Sequence, residues 1–143
     1  MISPVGLRLI RLFESFSPVP YICPAGYPTI LYGHVIKPGE VFDLPASLEI
    51  GEIILLKDVG VSERAISRLI RVPITQNMED SLLSWTFNLG SGALQASTLR
   101  AVINRQEYDE APDQIRRWIY AGGRRLNGLI KRREIEARLF SCG

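Results

Sequence analysis

Pro18, Pro20, Pro24, Gly26 and Pro28 fall within eleven consecutive positions, and no long helix can pass through them. Proline lacks the amide hydrogen that a helix needs, and its ring clashes with the preceding turn. The segment therefore reads as turns and splits the chain into separately folding stretches. Before it, Ser3 offers a capping oxygen and Pro4 suits a first helical position. Leu9, Ile10, Leu12 and Phe13 follow at helical spacing, which predicts a helix that ends near Glu14. After it, Thr29-Ile30-Leu31-Tyr32 and Val41-Phe42 are β-prone, with Lys37-Pro38-Gly39-Glu40 as the turn between them. Two or three such strands are too few to stand alone and need a helical partner.

Helices supply that partner. Apolar residues from Leu48 to Leu69 recur at helical spacing, so one long helix is expected from Pro45 to about Leu69, with Pro73 after it. At 1.5 Å per residue it would reach about 36 Å, enough to join two lobes. Gly51 and Gly60 weaken it and allow a bend. Met78, Leu82, Trp85 and Leu89 mark the next helix, which Gly90-Ser91-Gly92 interrupts. Ser97 or Thr98 caps a short one containing Leu99, Val102 and Ile103. Ala111, Ile115, Trp118 and Ile119 mark another, and Gly122-Gly123 separates it from a last helix over about Gly128 to Phe140. The class is α+β: a single domain over 1–143, with a small β lobe at about 15–46. The larger helical lobe covers about 61–143 together with the helix at 3–14.

A chain of 143 residues, 46% hydrophobic and 22% charged, can bury a real core. The formal net charge is only +2. From Arg100 onward, however, nine arginines and one lysine face six acidic residues. Such an excess attracts anionic polymers. Nucleic acid is not expected as a partner, because the total charge is modest and no docking motif is present. No apolar run is long enough to span a bilayer, and the N-terminus lacks the order of a secretory signal. The expectation is a protein cytoplasmic as synthesised. Two cysteines and one histidine suggest neither a disulfide framework nor a metal centre, and no cofactor motif is found.

Glu14, Cys23 and Thr29 are separated by eight and then five residues, and Tyr32-Gly33-His34 follows. This pattern resembles the catalytic segment of the phage-type lysozymes (endolysins, glycoside hydrolase family 24), in which the middle residue is usually Asp. Trp85-Thr86-Phe87-Asn88-Leu89-Gly90 resembles the family's central helices. Arg117-Trp118-Ile119-Tyr120-Ala121-Gly122-Gly123 and Lys131-Arg132-Arg133-Glu134 resemble its closing segment. The resemblance implies a lysozyme-like fold with a cleft between the lobes, and a muramidase acting on bacterial peptidoglycan. It further implies Glu14 as general acid, Cys23 and Thr29 as the holders of water, and Tyr32, Phe87, Asn88 and Thr98 as substrate contacts. It pairs His34 with Asp58 structurally and brings Arg132 or Arg133 to Glu14. A monomer that reaches the wall after release is the corresponding expectation. The alternative is a wall-binding protein of weak catalysis, because Cys23 replaces the usual Asp.

Residue chemistry adds four expectations. Glu14 ends a helix beside Leu12-Phe13, where the negative end of the dipole favours a protonated carboxyl, while an ion pair with Arg132 or Arg133 would oppose this and leave the net direction open. A neighbouring carboxylate would push the Cys23 thiol upward. Leu31 stands where the family commonly has Gly, so its side chain should project beside the site. This departure, with Val35 and Asn127, raises the conjecture of an artificial family member. A bridge between Cys23 and Cys142 would block the cleft, but Cys142, next to the chain end, is expected to fray.

Overall fold

A computed structural model describes residues 1–142. Helix α1 (Pro4–Glu14) starts where Ser3 Oγ accepts the Gly6 amide, and it buries Leu9 and Ile10. Three antiparallel strands follow in the order β1 (Ser17–Ile22), β2 (Pro28–Leu31), β3 (His34–Val35). The proline-rich segment is thus strand as far as Ile22, and the expected turn is confined to the residues between β1 and β2. Pro18 and Pro20 are tolerated because β1 lies at the sheet edge, is mostly exposed, and pairs irregularly between Ser17 and Tyr21. Val41-Phe42 is not a strand. The Lys37–Glu40 turn does close, through a Glu40 amide to Lys37 carbonyl bond of 3.0 Å. It leads Phe42 edge-on to His34, 6.0 Å between rings, instead of into a ladder.

Helix α2 (Leu48–Leu69) runs 22 residues without a break, its start capped by Ser47 Oγ on the Ile50 amide at 3.2 Å. Gly51 serves contact and not bending. A Cβ there would lie 2.9 Å from the Phe16 ring and 3.3 Å from Tyr32, so the missing side chain lets the β lobe close on α2. Helix α3 (Gln76–Leu89) is capped by Thr75. After Gly90, which was expected only to interrupt, the chain makes one more short helix, α4 (Ser91–Ala96). Helices α5 (Thr98–Asn104), capped by Ser97, and α6 (Ala111–Arg116) follow, with a 3-10 turn between them. Gly122-Gly123 forms the turn of a small hairpin, β4 (Tyr120–Ala121) with β5 (Arg124–Arg125), which the sequence reading missed. Helix α7 (Asn127–Ser141) closes the chain.

The main core lies among the helices, with Leu82, Trp85, Ile103, Ile115, Ala137 and Phe140 all 1% exposed or less. Each such apolar side chain contributes about 1.5–3 kcal/mol on burial. Ile10, Leu55 and Val59 form a second cluster that locks α1 to α2. Ile30, Leu31 and Ala46 form a third, beneath the sheet. Leu31 therefore does not project beside the site. Its φ of 61° breaks the strand alternation and turns the side chain into the core. Among the described residues, no helix is long and apolar enough to cross a membrane.

Candidate active site

Glu14 is the last residue of α1, and its side chain keeps 15% of its exposure. Helix α7 crosses below and sends Arg132 up to it, Nη1 to Oε2 at 3.0 Å. The Arg132 guanidinium also lies over the Phe13 ring, 5.2 Å from its centre. From the other side comes the turn between β2 and β3. Gly33 has a φ of +65°, and a Cβ on it would stand 2.5 Å from Glu14 Oε1. Any other residue there would be strained and would displace the carboxylate.

Cys23 begins the β1–β2 turn. Its carbonyl accepts the Gly26 amide at 2.8 Å and its amide donates to the Tyr27 carbonyl at 2.9 Å. Burial raises its thiol, but the Tyr27 backbone, the Thr29 hydroxyl and the Ala25 and Gly26 backbones outweigh that, and the net shift is downward. The expectation of a raised thiol is therefore reversed, because backbone dipoles and a hydroxyl, not a carboxylate, dominate its surroundings. Thr29 is 2% exposed, and its Oγ1 donates to the Tyr27 carbonyl at 2.9 Å, leaving its lone pairs to accept. Tyr21, on β1, was not singled out from sequence. It is held above the usual phenol value, first by burial and then by the charges of Glu14 and Cys23. Tyr21 thus lies near both residues. Cys23 and Cys142 are both free thiols.

Behind Glu14 lies a buried polar cluster that sequence reading identified only in part. Arg132 and Arg133 are 3% and 0% exposed, and Glu136 is 0% exposed. Glu136 Oε2 accepts from Ser84 Oγ at 2.5 Å, Arg132 Nε at 3.2 Å and Arg133 Nη2 at 3.3 Å. Its Oε1 meets Arg133 Nε at 2.7 Å as an ion pair outside good hydrogen-bond geometry. Burial pushes the Arg133 guanidinium down to about 10, with Glu136 opposing, so it stays charged at neutral pH. Arg133 Nη2 also donates to Asn88 Oδ1 at 2.8 Å, which leaves the Asn88 amide hydrogens available. The signal that could have exposed Glu136 is its spacing, three and four residues after two arginines, among the apolar positions of α7.

The remaining candidates divide. Phe87 and Tyr32 are partly buried and pack on the Ile10–Leu55–Val59 cluster. Tyr32 also meets Phe16, 5.4 Å between ring centres. Thr98 is exposed on the first turn of α5, which packs on α4 and α6. His34 Nδ1 lies 2.7 Å from Asp58 Oδ2, and its Nε2 lies 2.9 Å from Glu40 Oε1, a partner not foreseen. Two surface depressions, of about 580 and 400 Å³, lie around Glu107–Glu110 and on the outer face of α7, and neither includes Glu14, Cys23 or Thr29. Five of the ten basic side chains in the C-terminal third are buried or paired with a carboxylate, while Arg117, Arg124, Arg125 and Lys131 are exposed. Arg105 meets Glu107, Arg116 and Arg138 meet Glu134, and Arg132 and Arg133 are buried.

The sequence profile of the family described as "Phage lysozyme" matches residues 11–136. The chain belongs to the phage lysozyme family. Against the endolysin of Bacillus phage B103 it is 36% identical over 99% of its own length, yet it spans only 54% of that longer protein. Against the endolysin of Acyrthosiphon pisum secondary endosymbiont phage 1 it is 37% identical over 97% of both chains. The muramidase domain of SpmX from Asticaccaulis excentricus superposes with a TM-score of 0.85 at 30% identity, covering 98% of this chain and 97% of that one. The α+β architecture is thus a lysozyme-like fold, and membership of the phage lysozyme family makes the chain a glycoside hydrolase.

Proposed function

We propose that this chain is a muramidase that hydrolyses the β-1,4 bond between N-acetylmuramic acid and N-acetylglucosamine in peptidoglycan, and so lyses bacteria. The observation that carries the reading is the meeting of two structures at one point. The end of α1 presents Glu14, and the β lobe comes down on it at Gly33, with Tyr21 near both Glu14 and Cys23. In an inverting hydrolysis, Glu14 gives its proton to the leaving glycosidic oxygen as the C–O bond breaks. A water held by Thr29 Oγ1 and Cys23 attacks the anomeric carbon from the opposite face. The water's proton passes to the Cys23 sulfur, and exchange with solvent resets both groups. A lowered thiol suits that acceptor role, because more of it is thiolate near neutral pH. Asn88, anchored through its carbonyl oxygen, keeps an amide to donate to a substrate carbonyl.

The test is loss of turbidity of a peptidoglycan suspension. Glu14→Gln is expected to lower the rate about 10²–10⁴-fold, the usual weight of a general acid. Equal clearing by Glu14→Gln and wild type would remove Glu14 from this role. Release of reducing ends separates hydrolysis from mere wall binding, and binding without release would favour the non-catalytic alternative. Cys23→Asp, which restores the family's usual residue, is expected to retain activity.

A further inference from the structure

Two guanidinium groups on consecutive residues, both almost without exposure, stand next to a carboxyl that the mechanism needs in its protonated form. Left alone, two buried positive charges would stand uncompensated behind that carboxyl. A single group prevents this accumulation. The Glu136 carboxylate, 0% exposed, forms ion pairs with both: Oε2 to Arg132 Nε at 3.2 Å, and Oε1 to Arg133 Nε at 2.7 Å. From α3 two neutral groups meet it, Ser84 Oγ at 2.5 Å on its side chain and Ser81 Oγ at 2.7 Å on its backbone carbonyl. From α6, Arg116 turns away to Glu134 and Asp113 on the surface. Glu14 in turn is faced by Arg132 and Arg133 from α7 and by Tyr21 from β1.

We infer that Glu136 is a positioning residue of the reaction: it holds Arg132 in line with Glu14 and cancels one of the two arginine charges behind it. The inference rests on Glu14 as the general acid. With Glu14 ionised, two cations face two anions. With Glu14 protonated, both cations still share Glu136, and Arg132 retains Glu136 together with the Ser84 carbonyl at 3.0 Å. Arg132 therefore keeps its place when Glu14 takes up its proton, and no buried charge loses every partner.

The experiment follows the Glu14 side-chain carboxyl directly, by carbon NMR of protein labelled at glutamate, with Glu14→Gln for assignment. Glu136→Gln keeps the shape and removes the negative charge, so the Glu14 titration midpoint is expected to fall by about one pH unit. Arg133→Gln removes one positive charge, and the midpoint is expected to rise. Glu136→Asp keeps the charge and is expected to leave it near the wild-type value. Midpoints unmoved in both charge variants would overturn the inference, as would shifts of the same sign. Should neither charge variant fold, the wild-type spectrum decides: a Glu136 carboxyl protonated at neutral pH overturns the inference, and one ionised throughout supports it. Failure here leaves the lysis assay on Glu14→Gln untouched. Failure of that assay leaves the NMR shifts readable, so the two claims fall separately.

Discussion

Cys23 and Thr29 act on each other before either meets a substrate. The Thr29 hydroxyl has one proton, directed at the Tyr27 carbonyl in the resting protein, and it also stabilises the Cys23 thiolate. Only one of those bonds can hold the proton at a time. Deprotonation of Cys23 therefore recruits the hydroxyl and leaves the Tyr27 carbonyl with the Cys23 amide as its donor. The prediction is read from the pH dependence of alkylation by iodoacetamide in a Cys142→Ser background. Cys23 is expected to titrate below a free thiol. Thr29→Val should move that midpoint upward, because a donor to the thiolate is lost. A midpoint indifferent to Thr29 would mean that the turn amides alone set it.

At the scale of elements, the decisive joint is between the sheet and α2. His34, on β3 and 6% exposed in its side chain, sits between Asp58 of α2 and Glu40 at the far end of the turn that follows β3. Asp58 raises the imidazole first, burial opposes it, and Glu40 raises it further. Burial raises the Glu40 carboxyl, but the Lys37 amide and His34 outweigh it, and the result is a depressed value. The stability from a raised histidine is complete below its unfolded value of about 6.5 and fades as pH climbs through the folded one. That from a depressed Glu40 is present above its unfolded value of about 4.3 and fades as pH falls through the folded one. His34→Gln should therefore lose most stability near pH 5–6.5, about 1–3 kcal/mol, and less in alkaline solution. Urea unfolding at several pH values checks this, and a loss that is flat with pH would show that the imidazole works without its charge. How far the joint was legible is instructive. The Lys37–Glu40 turn could be read from its Pro-Gly pair, but that it delivers Glu40 to His34 could not, because Val41-Phe42 had the composition of a strand and folds as a loop.

Across the whole molecule, Glu14 is held by packing at one end of α1 and by charge at the other. Ile10, one turn before Glu14, is 0% exposed and packs with Leu55 and Val59 of α2. Met1 and Ser3 tie the start of α1 to Glu79 and Asp80 of α3. Ile10→Ala should cost about 2–5 kcal/mol in urea unfolding. It should also lower lysis at temperatures where the protein is still folded, since the cavity loosens the helix that carries the acid. Full activity with lowered stability would show that Arg132 alone holds Glu14 in place.

Much of this protein is written in neighbouring residues. The caps at Ser3 and Ser97, the apolar stripes of the helices and the Glu14–Cys23–Thr29 spacing all operate over a few positions, where propensity and hydrogen bonding are strong enough to be read directly. The edge strand made from prolines, the turn of Leu31 into the core, the choice of Arg132 over Arg133 to meet Glu14, and the burial of Glu136 were decided elsewhere. Arg132 and Glu14 lie 118 residues apart, so nothing local selects that pair. It forms because α7 packs across α3 and leaves one guanidinium, braced by a buried carboxylate, within reach of the end of α1.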